Sequence, residues 1–373
     1  MDAFYASVEL LRAPQYRGKP LAIGGRRSSD GSISKRGVLT TANYEARAYG
    51  VHSAMPVGLA LQKCPELVLL PVDFPAYRQA SRQFKQALLA IAPVMEDRGI
   101  DEVYLDLSAH PEAHGGQVIA LGQRLQQAVR EATQLTCSIG LAPNKLLAKI
   151  ASDLNKPAGL TVLDQEHVPG TLWPLPVRKL HGVGPKAQAK LEGLGLRSIG
   201  EIAQAPTELL IDVFGERYGQ WLHAAAHGQD DRPVVTHSDP ISRSRETTFG
   251  RDLHLKGDWI EIARTLSGLI DELCADLQRR GWVARTAGVK VRTDDFRIIT
   301  RDVGLREPTW DTSTIRKAAF EALARANPQR RLRLIGIRAS GLQPESSVAI
   351  EPHQDARVGL PVESAPQQDW LDL

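Results

Sequence analysis

The chain has 373 residues, 42% hydrophobic and 24% charged, with a net charge of +3. That length suits two to four domains rather than one core, and the composition is that of a soluble globular protein. No apolar run approaches the roughly 18 residues that span a bilayer, the opening MDAFYASVEL is no signal peptide, and Cys64, Cys137 and Cys274, widely spaced, read as reduced core residues of a cytoplasmic protein.

In chain order, LAIGG (21–25) and GVLTTA (37–42) predict strands, with the polar RRSSDGSISKR between them as a hairpin or loop. A helix is expected over 42–49, ended by Gly50, then a short buried strand at LVLLPV (67–72). Tyr77, Phe84, Leu88 and Ile91 recur near helical spacing and predict an amphipathic helix over 75–91. VYLDLS (103–108) alternates as a strand. A helix over 117–133, a strand at TCSIGLA (136–142) and a helix over 144–155 follow. Strands alternating with helices imply a mixed sheet with helices packed on it. From about 172 to 228 the pattern is helical and punctuated by glycine, and QDDRPVVTHSDPI (229–241) reads as a linker. A second α/β unit covers 242–342, with strands at 244–249, 286–293, 297–304 and 331–339 and helices near 257–280 and 312–326. The Pro-, Gln- and Ser-rich tail beyond is expected to be disordered.

Charge is unevenly spread. Residues 241–340 hold 20 Lys and Arg against 13 Asp and Glu, whereas 341–373 hold one Arg against six acids. A basic module with an acidic tail suits either a polyanion partner or a solvated surface. Within the module, Lys290 and Arg292 alternate with valines, and Arg331, Arg333 and Arg338 punctuate an apolar strand, so cations are expected on one sheet face. In GIDEVYLD (99–106), Asp101 and Glu102 stand at a strand mouth. Two such carboxylates either are a solvated loop end or bind hard divalent cations, which prefer oxygen ligands.

Several stretches carry a resemblance when read in order: MDAFYASVE (1–9), TTANYEARAYGVHSAMP (40–56), DEVYLD (101–106), SIGLAPNKLLAKIASDLNKPAGL (138–160) and LHGVGPKAQAKL (180–191). Together they resemble the Y-family DNA polymerases of the bacterial DNA polymerase IV type, over residues 1 to about 342. The resemblance implies an α/β multidomain right hand. Palm and fingers would interleave in 1–165, a helix-hairpin-helix thumb would span 166–230, a linker 231–241, a little finger 242–342, and a tail 343–373.

The same resemblance assigns roles. Asp101 and Glu102 would be catalytic carboxylates holding two Mg²⁺ ions, and Tyr5 the steric gate against a ribose 2′-OH. Thr41, Tyr44, Arg47 and Lys156 would bind the nucleotide, with Phe4 beside the gate and mostly core. Tyr44 and Arg47, three apart, would share a helix face. Gly182, Gly184 and Lys186 form a helix-hairpin-helix signature whose glycines turn tightly and offer N–H groups to a DNA phosphate. Lys290, Arg292, Arg331 and Arg333 would lie along DNA backbone. Gln368, Leu371 and Leu373 match the peptide that docks such polymerases on the sliding clamp. The partners implied are primer–template DNA, deoxynucleoside triphosphates and the clamp; the protein is expected to be a monomer without a membrane partner.

Two departures stand out. Family members open with Asp-x-Asp-x-Phe, whose first aspartate holds both metals. Here Asp2 matches the second, so the ligand would fall one residue before Met1, and a start a few codons upstream is expected. Gly99 stands where the family usually has serine. The function implied is low-fidelity, template-directed DNA synthesis across damage without proofreading; the alternative is a catalytically impaired DNA- and clamp-binding homologue.

Overall fold

The computed structural model describes residues 1–25, 36–114 and 116–347. The chain divides into two units, Met1–Ser238 and Asp239–Leu373. The segment expected as a hairpin or loop (26–36) falls almost wholly outside the described residues, as do the tail beyond 347 and its clamp-like peptide.

Unit 1 begins with helix α1 (Phe4–Arg12), followed by β1 (Leu21–Gly24), β2 (Leu39–Ala42), α2 (Tyr44–Ala48), α3 (Val57–Lys63) and β3 (Val68–Leu70). β1 pairs antiparallel with β2 and parallel with β3. Asn43 caps the one-turn helix α2: its side-chain oxygen accepts from Ala46 N–H at 3.0 Å and from Leu21 N–H at 2.9 Å, tying helix start to sheet. Gly50, at φ +74, lets the chain leave the helix.

Next come α4 (Phe74–Leu89), β4 (Met95–Asp97), β5 (Val103–Leu105), α5 (Val118–Thr133), β6 (Ile139–Leu141), α6 (Lys145–Leu154) and β7 (Leu160–Val162). The apolar stripes of α4 and α5 meet through Phe84, Leu88, Leu121, Leu125 and Val129, with Val103, Leu105 and Ile139 packed against them. Each fully buried side chain of this size contributes about 1.5–3 kcal/mol. The expected mixed sheet is instead three small ones, β2-β1-β3, β4-β5 and β6-β7. Asp106 accepts the Ser108 N–H at 2.9 Å and turns the chain out of β5. Just before β6, the Asp2 N–H donates to Thr136 O at 3.1 Å and the Ser138 hydroxyl donates to the Asp2 carboxylate at 2.7 Å.

Helices α7 (Pro185–Gly193), α8 (Ile199–Gln204), α9 (Thr207–Phe214) and α10 (Glu216–Ala226) complete the unit. Their core of Leu180, Leu191, Ile202, Leu210 and Leu222 continues into Leu146, Leu147 and Ile150 of α6. Ser198 and Glu201 form a reciprocal capping box at the start of α8. The stretch expected as a free linker is tied down at its beginning. Asp230 accepts the Leu146 N–H at 2.9 Å, Lys145 donates to Pro233 O at 2.7 Å, and Val235 N–H donates to Glu96 at 2.9 Å.

Unit 2 contains β8 (Ser242–Leu253), α11 (Trp259–Arg279), β9 (Trp282–Thr293), β10 (Ile298–Thr309), α12 (Thr312–Ala326) and β11 (Leu332–Ser340). The strands form an antiparallel sheet in the order β10-β9-β11-β8. Ile262, Leu266, Ile270, Leu273 and Leu277 make one stripe of α11, pressed with Ile315, Ala319 and Leu323 of α12 onto Val289, Val291, Ile335 and Ile337 of the sheet. Asp311 caps α12, accepting from Thr314 N–H at 2.7 Å.

Candidate active site

Asp101 and Glu102 lie on the tight connection between β4 and β5. Gly99 takes φ +144 there, a conformation that favours glycine over the serine expected from the resemblance. Lys85 pins the turn, donating to both Asp97 carboxylate oxygens at 2.8 and 2.7 Å and to Gly99 O at 2.7 Å. Met1 comes alongside, its ammonium donating to Asp101 O at 2.8 Å. A cavity of ≈ 220 Å³ opens here, lined by Asp101, Glu102, Lys149, Ser152, Lys156 and His181 among others.

Alternating charges run along this cavity. Lys149 Nζ donates to Glu102 at 2.6 Å and lies 3.5 Å from Asp153, which also pairs with Lys156 at 2.7 Å. Burial pushes the Asp101 carboxyl up, reinforced by the Glu102 charge and only partly offset by the nearby ammonium groups. Burial also acts on Glu102, but hydrogen bonding to Lys149 and the lysine charges outweigh it and hold that carboxyl below its ordinary value. The two neighbours are thus driven apart. Burial lowers the His181 imidazole, with Lys149 adding to it.

Asp2 plays a different part. It is 2% exposed, and both its carboxylate oxygens are engaged: one by the Ser138 hydroxyl at 2.7 Å, the other by Ala158 N–H at 2.8 Å. Asp2 thereby anchors the turn that carries Lys156. Sequence reading did not single out Lys149, Asp153 or His181. Positions 149, 153 and 156 follow helical i, i+4, i+7 spacing, which was the available signal.

Tyr5 rests on an aromatic shelf. Its ring stacks on Tyr77 at 4.3 Å between centroids and meets Phe74 edge-on at 6.0 Å. Tyr77 is itself fixed by donating to Glu9 at 2.8 Å. Phe4 is only 3% exposed, and its ring packs edge-on against Phe84. Thr41 is nearly enclosed, 7% exposed on β2. Tyr44 and Arg47 do share a face, the guanidinium 4.9 Å from the ring centroid. The Tyr44 hydroxyl is buried and has no hydrogen-bond partner among the described residues. Because α2 has only five residues, any anion attraction here comes from the Arg47 side chain rather than a helix terminus.

In the helical segment, Gly182 takes φ +112, and a Cβ there would lie 2.4 Å from the Trp221 ring. Gly184 does not share that need. It begins α7 at φ −87, with open space where its Cβ would be, so only the first glycine is demanded by the turn. Lys186 is exposed.

The sheet face of unit 2 opposite its helices carries cations as expected, but not bare ones. Lys290 pairs with Glu246 at 2.7 Å and Arg338 with Asp302 at 2.7 Å. Gly288 and Gly336 lie among them, and a Cβ on either would strike the neighbouring acid side chains. Arg292 keeps a buried Nε without a partner among the described residues. Arg333 breaks the strict alternation. Leu332 faces Thr293 and Leu334 faces Arg292, so Arg333 is the extra residue of a bulge, and its guanidinium lies 4.7 Å from the Phe296 ring centroid. Arg331 is exposed just before the strand.

Comparison with known proteins decides the family. The impB/mucB/samB family model matches residues 1–153, its C-terminal domain matches 240–351, and the IMS family HHH motif matches 166–196. A DNA polymerase IV of Alkalilimnicola ehrlichii is 38% identical, covering 96% of this chain and 97% of that protein. One of Halorhodospira halophila is 40% identical over 92% of this chain and 94% of its own. A Y-family DNA polymerase chimera of known structure superposes with a TM-score of 0.80 at 28% identity, covering 91% of this chain and 96% of the chimera. The chain belongs to the Y-family of DNA polymerases. Its activity class is template-directed DNA synthesis of the low-fidelity, translesion kind, and its fold is the family's mixed α/β one with a helix-hairpin-helix motif and little finger.

Y-family membership implies use of divalent metal. Asp101 and Glu102 suit it: both offer hard oxygen donors, and a cation would relieve the cost of the Asp101 charge held partly out of water beside Glu102. The grouping of three or more metal-type side chains found among the described residues, Asp164, Glu166 and His167, lies elsewhere on an exposed turn. No helix of the described residues is long and apolar enough to cross a membrane.

Proposed function

We propose that this chain extends the 3′ end of a DNA primer with deoxynucleoside triphosphates, using two Mg²⁺ ions bound by Asp101 and Glu102. The observation that carries this is the gathering of those carboxylates with Lys149 and Lys156 around one ≈ 220 Å³ cavity, where Lys149 holds Glu102, while Asp2 is held by Ser138 and the Ala158 N–H. Such a metal pair, when bound, stabilises the attacking and leaving oxygens of an in-line phosphoryl transfer. Asp101 fits the shared position, because burial makes its charge costly without a cation. Glu102 turns its more open side to the primer hydroxyl and, once released by Lys149, helps hold the proton that leaves it. The hydroxyl oxygen attacks the α-phosphorus as the bond to pyrophosphate breaks.

The remaining groups position and select. Tyr5 closes the floor beneath the sugar and leaves no room for a 2′-OH. The Tyr44 hydroxyl, kept protonated because burial and the Asp2 charge raise it, donates to phosphate oxygens alongside Arg47 and Lys156. Thr41 contributes from the edge of its strand. Backbone at Gly182 and Gly184, with Lys186, meets a DNA phosphate, while Lys290, Arg292, Arg331 and Arg333 follow the backbone from unit 2. The Gln368, Leu371 and Leu373 peptide docks on the sliding clamp. The protein works as a monomer in the cytoplasm, in keeping with three buried free thiols.

The test is Mg²⁺-dependent primer extension by this chain beside one lengthened at its N-terminus so that an aspartate precedes Met1. Nucleotide-dependent extension by either chain supports the reading. If neither extends a primer–template that both bind, the polymerase reading falls and a non-catalytic DNA-binding homologue remains.

A further inference from the structure

The hairpin joining β9 to β10 displays an aromatic ring where turn chemistry favours none. Phe296 takes φ +66, a left-handed conformation that strains a bulky residue and that Gly, Asn or Asp adopts more readily. Burial does not explain the choice, because Phe296 is 61% exposed and Ile298 beside it 53%. The mount is rigid. Phe296 N–H donates to Thr293 O at 2.9 Å, and Asp295 accepts from the Thr293 hydroxyl and the Arg297 N–H.

Charge surrounds the ring. Arg330 pairs with Asp294 at 2.6 Å and Arg297 with Asp295 at 3.4 Å, so both aspartates of the tip are already matched. Arg331 and Arg333 have no carboxylate partner among the described residues, and Arg333 lies against the Phe296 ring. A protein interface needs roughly 800 Å² from each partner, far more than one ring and an isoleucine offer. A nucleobase needs only the face of one ring, with cations for the phosphates on either side.

We propose that Phe296 and Arg333 form a stacking platform for an unpaired base of single-stranded nucleic acid, with Arg331 meeting an adjoining phosphate. This rests on the reading of unit 2 as DNA-binding and adds to it a contact with bases rather than backbone. The bulge is what makes the platform, since strict alternation would not place the Arg333 guanidinium at the hairpin tip.

The experiment measures binding of the full chain and its F296A, F296W and R333A variants to three labelled probes by fluorescence anisotropy. The probes are a primer–template, a short oligothymidine strand, and an equally long abasic strand that keeps the phosphates without bases. F296A is expected to weaken oligothymidine binding roughly tenfold while leaving the abasic strand unchanged, with F296W retaining wild-type affinity. R333A weakens both strands, and thymidine more. Because Phe296 is exposed, its variants should keep the wild-type urea midpoint. Equal loss on both strands, or no loss on thymidine, overturns the platform. If wild type binds primer–template and F296A matches it on thymidine, the platform alone falls; if wild type binds none of the probes, the DNA-binding reading falls with it.

Discussion

Glu102 in unit 1 and Asp276 in unit 2 are both carboxylates held by nearby cations, and the difference between them separates a working site from a strut. Asp276 is 3% exposed on α11 and gathers Arg279 at 2.6 Å, Arg280 at 3.0 Å, Arg245 at 3.6 Å and Arg243 at 4.0 Å. Nothing can reach it without unpacking the helix from β8. The Glu102 side chain is 47% exposed and bound to one lysine, which has a second acid, Asp153, to turn to when a ligand arrives. A carboxylate with several cations and no access fixes a fold; one with a single exchangeable cation and an open cavity is ready for chemistry.

Breaking the open site has the largest expected effect. In a chain that extends primers, D101N should cut the single-turnover rate by at least about 10²–10³-fold, the usual cost of losing one electrostatic stabiliser of a transition state. Primer–template affinity measured without nucleotide should stay within a few-fold of wild type. A variant that keeps its rate would remove Asp101 from the metal site. Next in size is Y5A, expected to raise ribonucleotide use relative to deoxyribonucleotide by about 10–100-fold, read from the ratio of kcat/KM values. Unchanged selectivity would mean that the shelf on Tyr77 only supports the core.

The closed site is sharpened by pH. Burial opposes the Asp276 charge, but hydrogen bonds to Arg280 and Arg279 outweigh it and hold the carboxyl below its ordinary value. A depressed folded pKa contributes stability that is present above the unfolded value, near 3.9, and is lost as pH falls through the folded one. D276N should lower stability by about 1–3 kcal/mol at pH 7, with solvent access to the arginines keeping it from the top of the buried-pair range. The gap between the urea midpoints should begin to narrow only as pH falls below about 4 and should close once pH is below the depressed folded value. A gap that persists there would assign the loss to packing rather than charge.

How much of this was legible in the sequence depended on whether a feature is local. Helix α11 shows itself through five apolar residues at helical spacing, and the β4–β5 acids through their place before an alternating strand. The division of unit 1 into three small sheets was not readable, because it involves residues far apart in sequence, as does the Ser138 hydrogen bond to Asp2 at 2.7 Å. Phe4 and Tyr5 are neighbours of one chemical type, and only packing shows that one is enclosed and the other set against a shelf. Lys149 carried a signal at i, i+4, i+7 with Asp153 and Lys156, but spacing names a face and not what the face meets. The bulge at Arg333 left no trace in a pattern read with period two.

The smallest effect tests whether the sheet face of unit 2 resembles the open site or the closed one. Lys290 and Arg338 are each matched by an acid, Glu246 and Asp302, yet all four side chains keep solvent contact, at 32%, 44%, 44% and 41% exposure. Exposed pairs of this kind are worth about 0–1 kcal/mol, so a DNA phosphate can exchange for the acid at little cost. The acids then act as brakes on affinity rather than as supports. E246Q and D302N should each tighten primer–template binding by about two- to fivefold at low salt and leave the urea midpoint within experimental error. K290A should instead weaken binding and reduce the slope of log affinity against log salt by about one. Tighter binding in the acid variants would group this face with Glu102, as cations held until a ligand replaces their partner. Loss of stability without a gain in affinity would group it with Asp276, and would move the DNA-binding surface of unit 2 from Lys290 and Arg338 toward Arg331 and Arg333.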